Sequence, residues 1–93
     1  TLERVASASE ALAAVAAGKW GLQAGVFTRD VETVLSAWDR VPVGGLVVND
    51  VPSYRSDVMP YGGTKLSGLG REGVRWAMEE LTEPRVLVLS RPG

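Results

Sequence analysis

A stripe of Val31, Val34, Leu35 and Trp38, spaced i, i+3, i+4 and i+7, lies between two short apolar runs, and this alternation limits the folds open to the chain. The stripe predicts an amphipathic helix from Asp30 that Pro42 and the Gly44-Gly45 pair end. Before it, residues 22–28 read as a short strand in which Gly25 marks close approach of another backbone. After it, Leu46, Val47 and Val48 form an aliphatic run bounded by glycines and by Asn49-Asp50, the pattern of a strand covered on both faces. Ser7 and Glu10 have capping-box spacing, so another helix is expected through the Ala-rich stretch to about Ala17, with Gly18 as a left-handed cap. Helix, strand, helix and strand in succession, with short connections, argue for parallel strands joined by right-handed crossovers, an α/β fold.

The pattern breaks over residues 49–70, where Pro52, Pro60 and four glycines leave little periodicity. A long connection of this kind in a compact protein is usually functional or disordered, so function is sought here. Periodicity resumes at Val74, Ala77, Met78 and Leu81, predicting a final helix over about residues 72–82 that stops before Pro84. Val86 to Leu89 then reads as a terminal aliphatic strand. Such a strand is a sheet edge unless something covers it, and an uncovered edge invites pairing with another chain.

Composition narrows the chemistry. Ten basic and eleven acidic residues nearly cancel and the arginines are dispersed, so neither nucleic acid nor an anionic membrane is an expected partner. There is no cysteine and no histidine, which removes the thiol nucleophile, the commonest general base and the main transition-metal ligands together. No metal site and no disulfide are expected, and the latter fits a reducing compartment. No apolar run approaches the ~20 residues of a membrane-spanning helix and no signal-peptide pattern opens the chain, which leaves the cytoplasm as the expected location. Ninety-three residues make one domain at most.

Three groups of residues invite a chemical reading. Gly68, Gly70 and Gly73 match G-x-G-x-x-G, the dinucleotide fingerprint, but the fingerprint needs a strand immediately before it, and residues 61–67 are loop-like. A glycine-rich turn entering a helix accounts for the match. Asn49, Asp50, Ser53, Tyr54, Arg55 and Asp57 cluster in the long connection, where they either line a polar pocket or form solvated turns; the residues alone leave both open. Asp50 and Asp57 would serve as an acid–base pair only if something forced their pKa values apart. Glu79, Glu80 and Glu83 crowd the C-terminal end of the last helix, where the macrodipole disfavours them, with Arg71, Arg75 and Arg85 as the local cations. Arg75 and Glu79 have the i, i+4 spacing of a helix-surface pair.

Taken in order, Gly21-Leu-Gln-Ala-Gly-Val-Phe-Thr28, Gly45-Leu-Val-Val-Asn49 and Pro60-Tyr-Gly-Gly-Thr-Lys-Leu-Ser-Gly-Leu-Gly-Arg-Glu-Gly73 resemble the aldehyde dehydrogenase superfamily in sequence and in spacing. The last of the three is specific to that family. The resemblance implies that residues 1–84 are the C-terminal part of the catalytic α/β domain and residues 85–93 the terminal strand of the oligomerisation domain. It also implies oxidation of an aldehyde to a carboxylate: a cysteine attacks the carbonyl, hydride passes to NAD or NADP, and a glutamate activates the water that releases the acid. In the family that cysteine, that glutamate and the nucleotide-binding domain lie upstream of this region. The segment is therefore expected to hold no catalytic residue and no cofactor site, and to be inactive alone.

The resemblance further places the loop after the Val-Asn strand on the substrate tunnel, with Tyr54, Arg55 and Tyr61 as its lining. Arg55 would receive a carboxylate or phosphate on the far end of an aldehyde by bidentate hydrogen bonds. Arg71 and Glu83 match positions near the subunit contact, and the implied partners are the rest of the polypeptide and further subunits in a homodimer or homotetramer. One departure stands out: the family's Asn-x-x-x-Tyr-Gly-Leu is Ala16-Ala-Gly-Lys-Trp20-Gly-Leu here, which bears on local packing. Two other functions compete with the enzyme segment. One is a free-standing, non-enzymatic module that joins dehydrogenase subunits through its terminal strand; the other is a small nucleotide-binding protein using residues 68–73.

Overall fold

A computed structural model describes residues 1–93. In chain order the elements are α1 (Ala8–Ala17), β1 (Trp20–Gly21), β2 (Gln23–Val26), α2 (Val31–Arg40), β3 (Gly45–Val48), β4 (Thr64–Lys65) and α3 (Val74–Leu81). β2 and β3 pair in parallel, from Gln23 opposite Gly45 to Val26 opposite Val48, with α2 as the connection between them. The expected α/β alternation is realised in this unit. The strand expected over residues 22–28 is realised as the shorter β2, and a separate strand that was not expected, β1, precedes it and pairs antiparallel with β4 in its own two-stranded ladder. Gly25 lies where a Cβ would be 3.1 Å from both the Asp50 carbonyl oxygen and Pro52 Cδ, the close approach its position suggested.

Local chemistry sets the helix ends. At α1 the Glu10 amide donates to Ser7 Oγ at 3.2 Å, while the Glu10 carboxylate accepts from the Ala6 amide, one residue upstream of the partner a capping box would use. Gly18 is not a left-handed cap: its φ of −62° and ψ of 150° are extended. Lys65 explains the difference, because its Nζ donates to the Ala16 and Gly18 carbonyls at 2.6 and 2.7 Å and meets the helix's orphan acceptors with a cation. At α2 the Asp30 carboxylate accepts from the Glu32 and Thr33 amides and from Thr33 Oγ1. The Thr33 hydroxyl, and after it the Thr33 amide, hold this carboxyl below its ordinary pKa. Arg40 ends α2 and donates to Ser9 Oγ and to the Ser9 carbonyl, tying α2 to α1.

The core is small. Leu12, Ala37 and Val41 are its only buried hydrophobic residues, with Ala24, Val26, Val43 and Leu46 packed against them. Val34 is half-buried, but Val31, Leu35 and Trp38 of the expected stripe face outward, because the face of α2 against α1 and the sheet is the one carrying Ala37. β3 is half-buried instead of covered on both faces, since the loop carrying Tyr54 and Met59 leaves an open hollow beside it. On α3 the stripe of Val74, Ala77, Met78 and Leu81 is exposed throughout.

Val86 to Leu89 form no strand within this chain and are at least 78% exposed. A strand is held by hydrogen bonds to a partner, and no partner reaches these residues. The Cα radius of gyration is 19.3 Å, against roughly 12 Å for a compact domain of this length, so the chain does not close on one core. No helix is long and apolar enough to cross a membrane.

Candidate functional site

The glycine-rich motif over residues 60–73 is a strap, not the plain loop its composition suggested. β4 pairs with β1, Thr64 Oγ1 donates to the Pro42 carbonyl at 2.6 Å, and the Gly21 amide donates to Ser67 Oγ at 2.9 Å. Lys65 takes φ = 52° and reaches the end of α1, as above. A Cβ on Gly44 would run into the Gly62 carbonyl oxygen, so a glycine there lets the strap lie on the turn before β3. Thr64, Lys65 and Ser67 thus fix one long connection to three separate elements.

That anchoring brings Tyr61 and Glu72 together. Each donates its amide to the other's carbonyl in an isolated antiparallel bridge, and residues opposed in this way carry their side chains on one face. Arg55 closes the group: its guanidinium carbon lies 3.8 Å from the centroid of the Tyr61 ring, and its Nη2 donates to Glu72 Oε2 at 2.6 Å. Ser56, Asp57, Met59, Gly73 and Val74 complete the lining of a hollow of about 450 Å³ around these side chains. The ion pair is more than half exposed on both sides, so it is worth no more than about 1 kcal/mol, and the exposed cation–π contact adds about 0.5–1 kcal/mol. What the three side chains specify is an orientation of the guanidinium, more than stability.

Of the three tunnel residues proposed from the sequence, the structure unites Arg55 and Tyr61. Tyr54 lines a neighbouring hollow of about 370 Å³ beside β3, where its carbonyl accepts from Gln23 Nε2 at 3.1 Å, and Met59 borders both hollows. Glu72 was not foreseen. It stands seventeen residues from Arg55 with no shared periodicity, and only the bridge to Tyr61 places it. The polar loop resolves in both directions: Asn49, at φ = 58°, accepts from the Thr28 amide and ties the end of β3 to the residues after β2, and Asp50 accepts from the Val51 amide in a local bend, so neither is a free pocket group. Asp50 and Asp57 line different hollows and make no acid–base pair.

The remaining candidates lie outside this group. Arg71 donates from Nη1 to the Gly63 and Gly70 carbonyls, holding the strap's turn, and does not offset the acidic helix end. Arg75 and Glu79 form the i, i+4 pair at 3.1 Å, and Glu83 is exposed and joins neither ion pair of the chain. Gly68, Gly70 and Gly73 all have positive φ, as a glycine-rich turn requires, and the antiparallel β4 ends before them at Lys65. A Cβ at Gly70 would be 2.8 Å from Glu80 Oε1, and one at Gly73 2.8 Å from the Trp76 ring. Glu80 and Trp76 therefore crowd two of the three glycines, while the space beside Gly68 is open. No cluster of acidic side chains could hold a metal ion. A larger hollow of about 760 Å³ runs along α3 beside Val58 and Trp76, on the face that nothing in the chain covers.

Residues 1–87 match the model of the aldehyde dehydrogenase family. The chain belongs to that family. It is 49% identical over 81 residues to a 3-sulfolactaldehyde dehydrogenase of Priestia aryabhattai, an alignment covering 87% of this chain and 17% of that protein. It is 42% identical over 86 residues to a lactaldehyde dehydrogenase of Methanococcus maripaludis, covering 92% of this chain and 18% of that protein. Among solved structures it resembles aldehyde dehydrogenase 21 of Physcomitrella patens in complex with the reaction product succinate, at a TM-score of 0.85 and 41% identity over 91% of this chain and 18% of that one. This aldehyde dehydrogenase chain therefore spans less than a fifth of the length of the relatives it matches.

Proposed function

We propose that this chain is the C-terminal part of an NAD(P)-dependent aldehyde dehydrogenase, and that Arg55 receives an anionic group at the far end of the aldehyde. The observation that carries the proposal is the state of Arg55: held over the Tyr61 ring, it spends one hydrogen bond on Glu72 and keeps the donors on Nε and Nη1 free. A planar guanidinium with a free edge matches a carboxylate or a sulfonate. The relatives do not decide the matter alone, since one is named for a sulfonated aldehyde, one was solved with a dicarboxylate, and one is named for the uncharged lactaldehyde.

In this reading the nicotinamide nucleotide supplies the hydride acceptor, and its binding site lies in the remainder of the enzyme. The chain's own residues bind and orient. Met59 and Tyr61 form the apolar side of the Arg55 hollow, Tyr54 lines the neighbouring one, Arg55 fixes the charged end, and Lys65, Thr64 and Ser67 hold the strap that carries Tyr61. Residues 1–84 complete the catalytic domain and residues 85–93 supply a strand to the oligomerisation domain, with Arg71 and Glu83 near the contact between subunits of a cytoplasmic homodimer or homotetramer. The unpaired Val86 to Leu89 run also suits a free-standing module that docks on dehydrogenase subunits. The coding sequence upstream of Thr1 separates the two.

The test is Arg55→Met in the complete dehydrogenase carrying this segment. KM for an aldehyde with a terminal carboxylate should rise about 10- to 100-fold relative to that for a neutral aldehyde of equal length, as loss of hydrogen bonds to a charged group implies. Equal changes for the two substrates would remove Arg55 from recognition.

A further inference from the structure

The geometry points to Glu72 as a positioning residue for substrate recognition, which, with the Tyr61 ring, fixes the plane of the Arg55 guanidinium so that its free edge faces the incoming anion. The inference rests on the reading of Arg55 just given and adds to it a residue that does not itself touch the aldehyde. Three observations converge on it. Arg55 lies on a loop with no element of its own between Val48 and Thr64, so nothing in its backbone orders a long and rotatable side chain. Two contacts replace that order: the Tyr61 ring, whose centroid is 3.8 Å from the guanidinium carbon, and Glu72 Oε2 at 2.6 Å from Nη2. The pair of reciprocal backbone hydrogen bonds between Tyr61 and Glu72 makes the two contacts one rigid unit, so that neither can shift without the other.

A planar fork held on its face and at one nitrogen has one remaining degree of choice, and the free Nε and Nη1 donors define where a carboxylate or sulfonate must sit. The Glu72 carboxylate is single-point, leaving room for the ligand, and both partners are open to solvent, so its contribution is to geometry. Without it the guanidinium would sample several rotamers and recognise the same anion less well, without losing its charge.

The experiment is a steady-state comparison, in the complete dehydrogenase, of an aldehyde ending in a carboxylate with a neutral aldehyde of equal length. Glu72→Gln should lower the anionic-to-neutral ratio of kcat/KM about three- to tenfold, through KM for the anionic substrate, the range expected for loss of one exposed charge-assisted contact. Glu72→Asp should recover part of the ratio. Tyr61→Phe, which keeps the ring face, should retain the ratio, and Tyr61→Leu should lower it. In an Arg55→Met background Glu72→Gln should have no further effect on the ratio, since there is no guanidinium left to orient. A ratio that rises in Glu72→Gln would show the carboxylate competing with substrate for Arg55, and an effect that persists in the Arg55→Met background would show it acting elsewhere; either overturns the inference while leaving Arg55 in place. Were Arg55→Met itself to leave the ratio unchanged, the reading beneath it would fail instead.

Discussion

The stretch from α1 to β3 and the stretch from α3 to the C-terminus both carry clear apolar patterns, yet only the first buries any of them. Leu12, Ala37 and Val41 sit in the first, and no residue of α3 or of the run after it is buried. The difference lies in what each pattern finds within reach. α1, β2, α2 and β3 are joined by short connections, so their apolar faces meet each other, whereas α3 follows a strap whose own bonds run back to Gly21 and Pro42. Helical spacing prepares a face for burial and does not supply the partner.

That contrast can be broken most directly in the packing. Leu12→Ala should destabilise the α1–α2 region by about 2–4 kcal/mol, while Leu81→Ala in the same isolated chain should change stability by less than about 0.5 kcal/mol, both read from amide hydrogen exchange. In the complete dehydrogenase the two should cost similar amounts if α3 is covered there. A persistently silent Leu81→Ala in the complete enzyme would mean that the α3 stripe stays at the surface. A smaller effect sharpens the comparison at the helix ends. Lys65→Met should cost the C-terminal turn of α1 about 1 kcal/mol, because it leaves the Ala16 and Gly18 carbonyls without their cation, whereas Arg75→Ala on α3 should cost less than about 0.5 kcal/mol.

The smallest effect is one of pH. Asp30 has a folded pKa below its unfolded value, so its stabilisation of α2 is fully present above the unfolded value, near 4, and is lost as pH falls through the folded one. Asp30→Asn keeps a capping acceptor but cannot titrate, so the acid end of an exchange or circular dichroism profile for α2 should flatten. An unchanged acid slope in that variant would assign the pH dependence to another carboxyl.

The candidate site was legible in parts that follow a local rule. Arg55 and Tyr61 are singled out by their family-like positions in a long connection, and the structure puts them in contact. Glu72 was hidden because its place depends on a two-residue bridge closing a ten-residue excursion, which no periodicity marks. Tyr54 was grouped with them through the same resemblance, but the path of the loop takes it into a separate hollow beside β3. Ser67 and Lys65 had been visible only as motif letters; their carbonyl and amide partners lie more than forty residues away.

By itself the sequence determined the helices, the N-terminal cap at Ser7, the parallel β2–β3 pair and the family, because each is written in short-range spacing or in a contiguous motif. Only the tertiary structure decided which side of α2 is buried, that Lys65 takes over the capping Gly18 was expected to perform, that Val86 to Leu89 stay unpaired, and that Glu72 holds Arg55 against Tyr61. Those outcomes depend on which distant groups arrive beside one another. A chain's own periodicity fixes the faces it offers, and the partners that meet them are set by the path of the backbone through space.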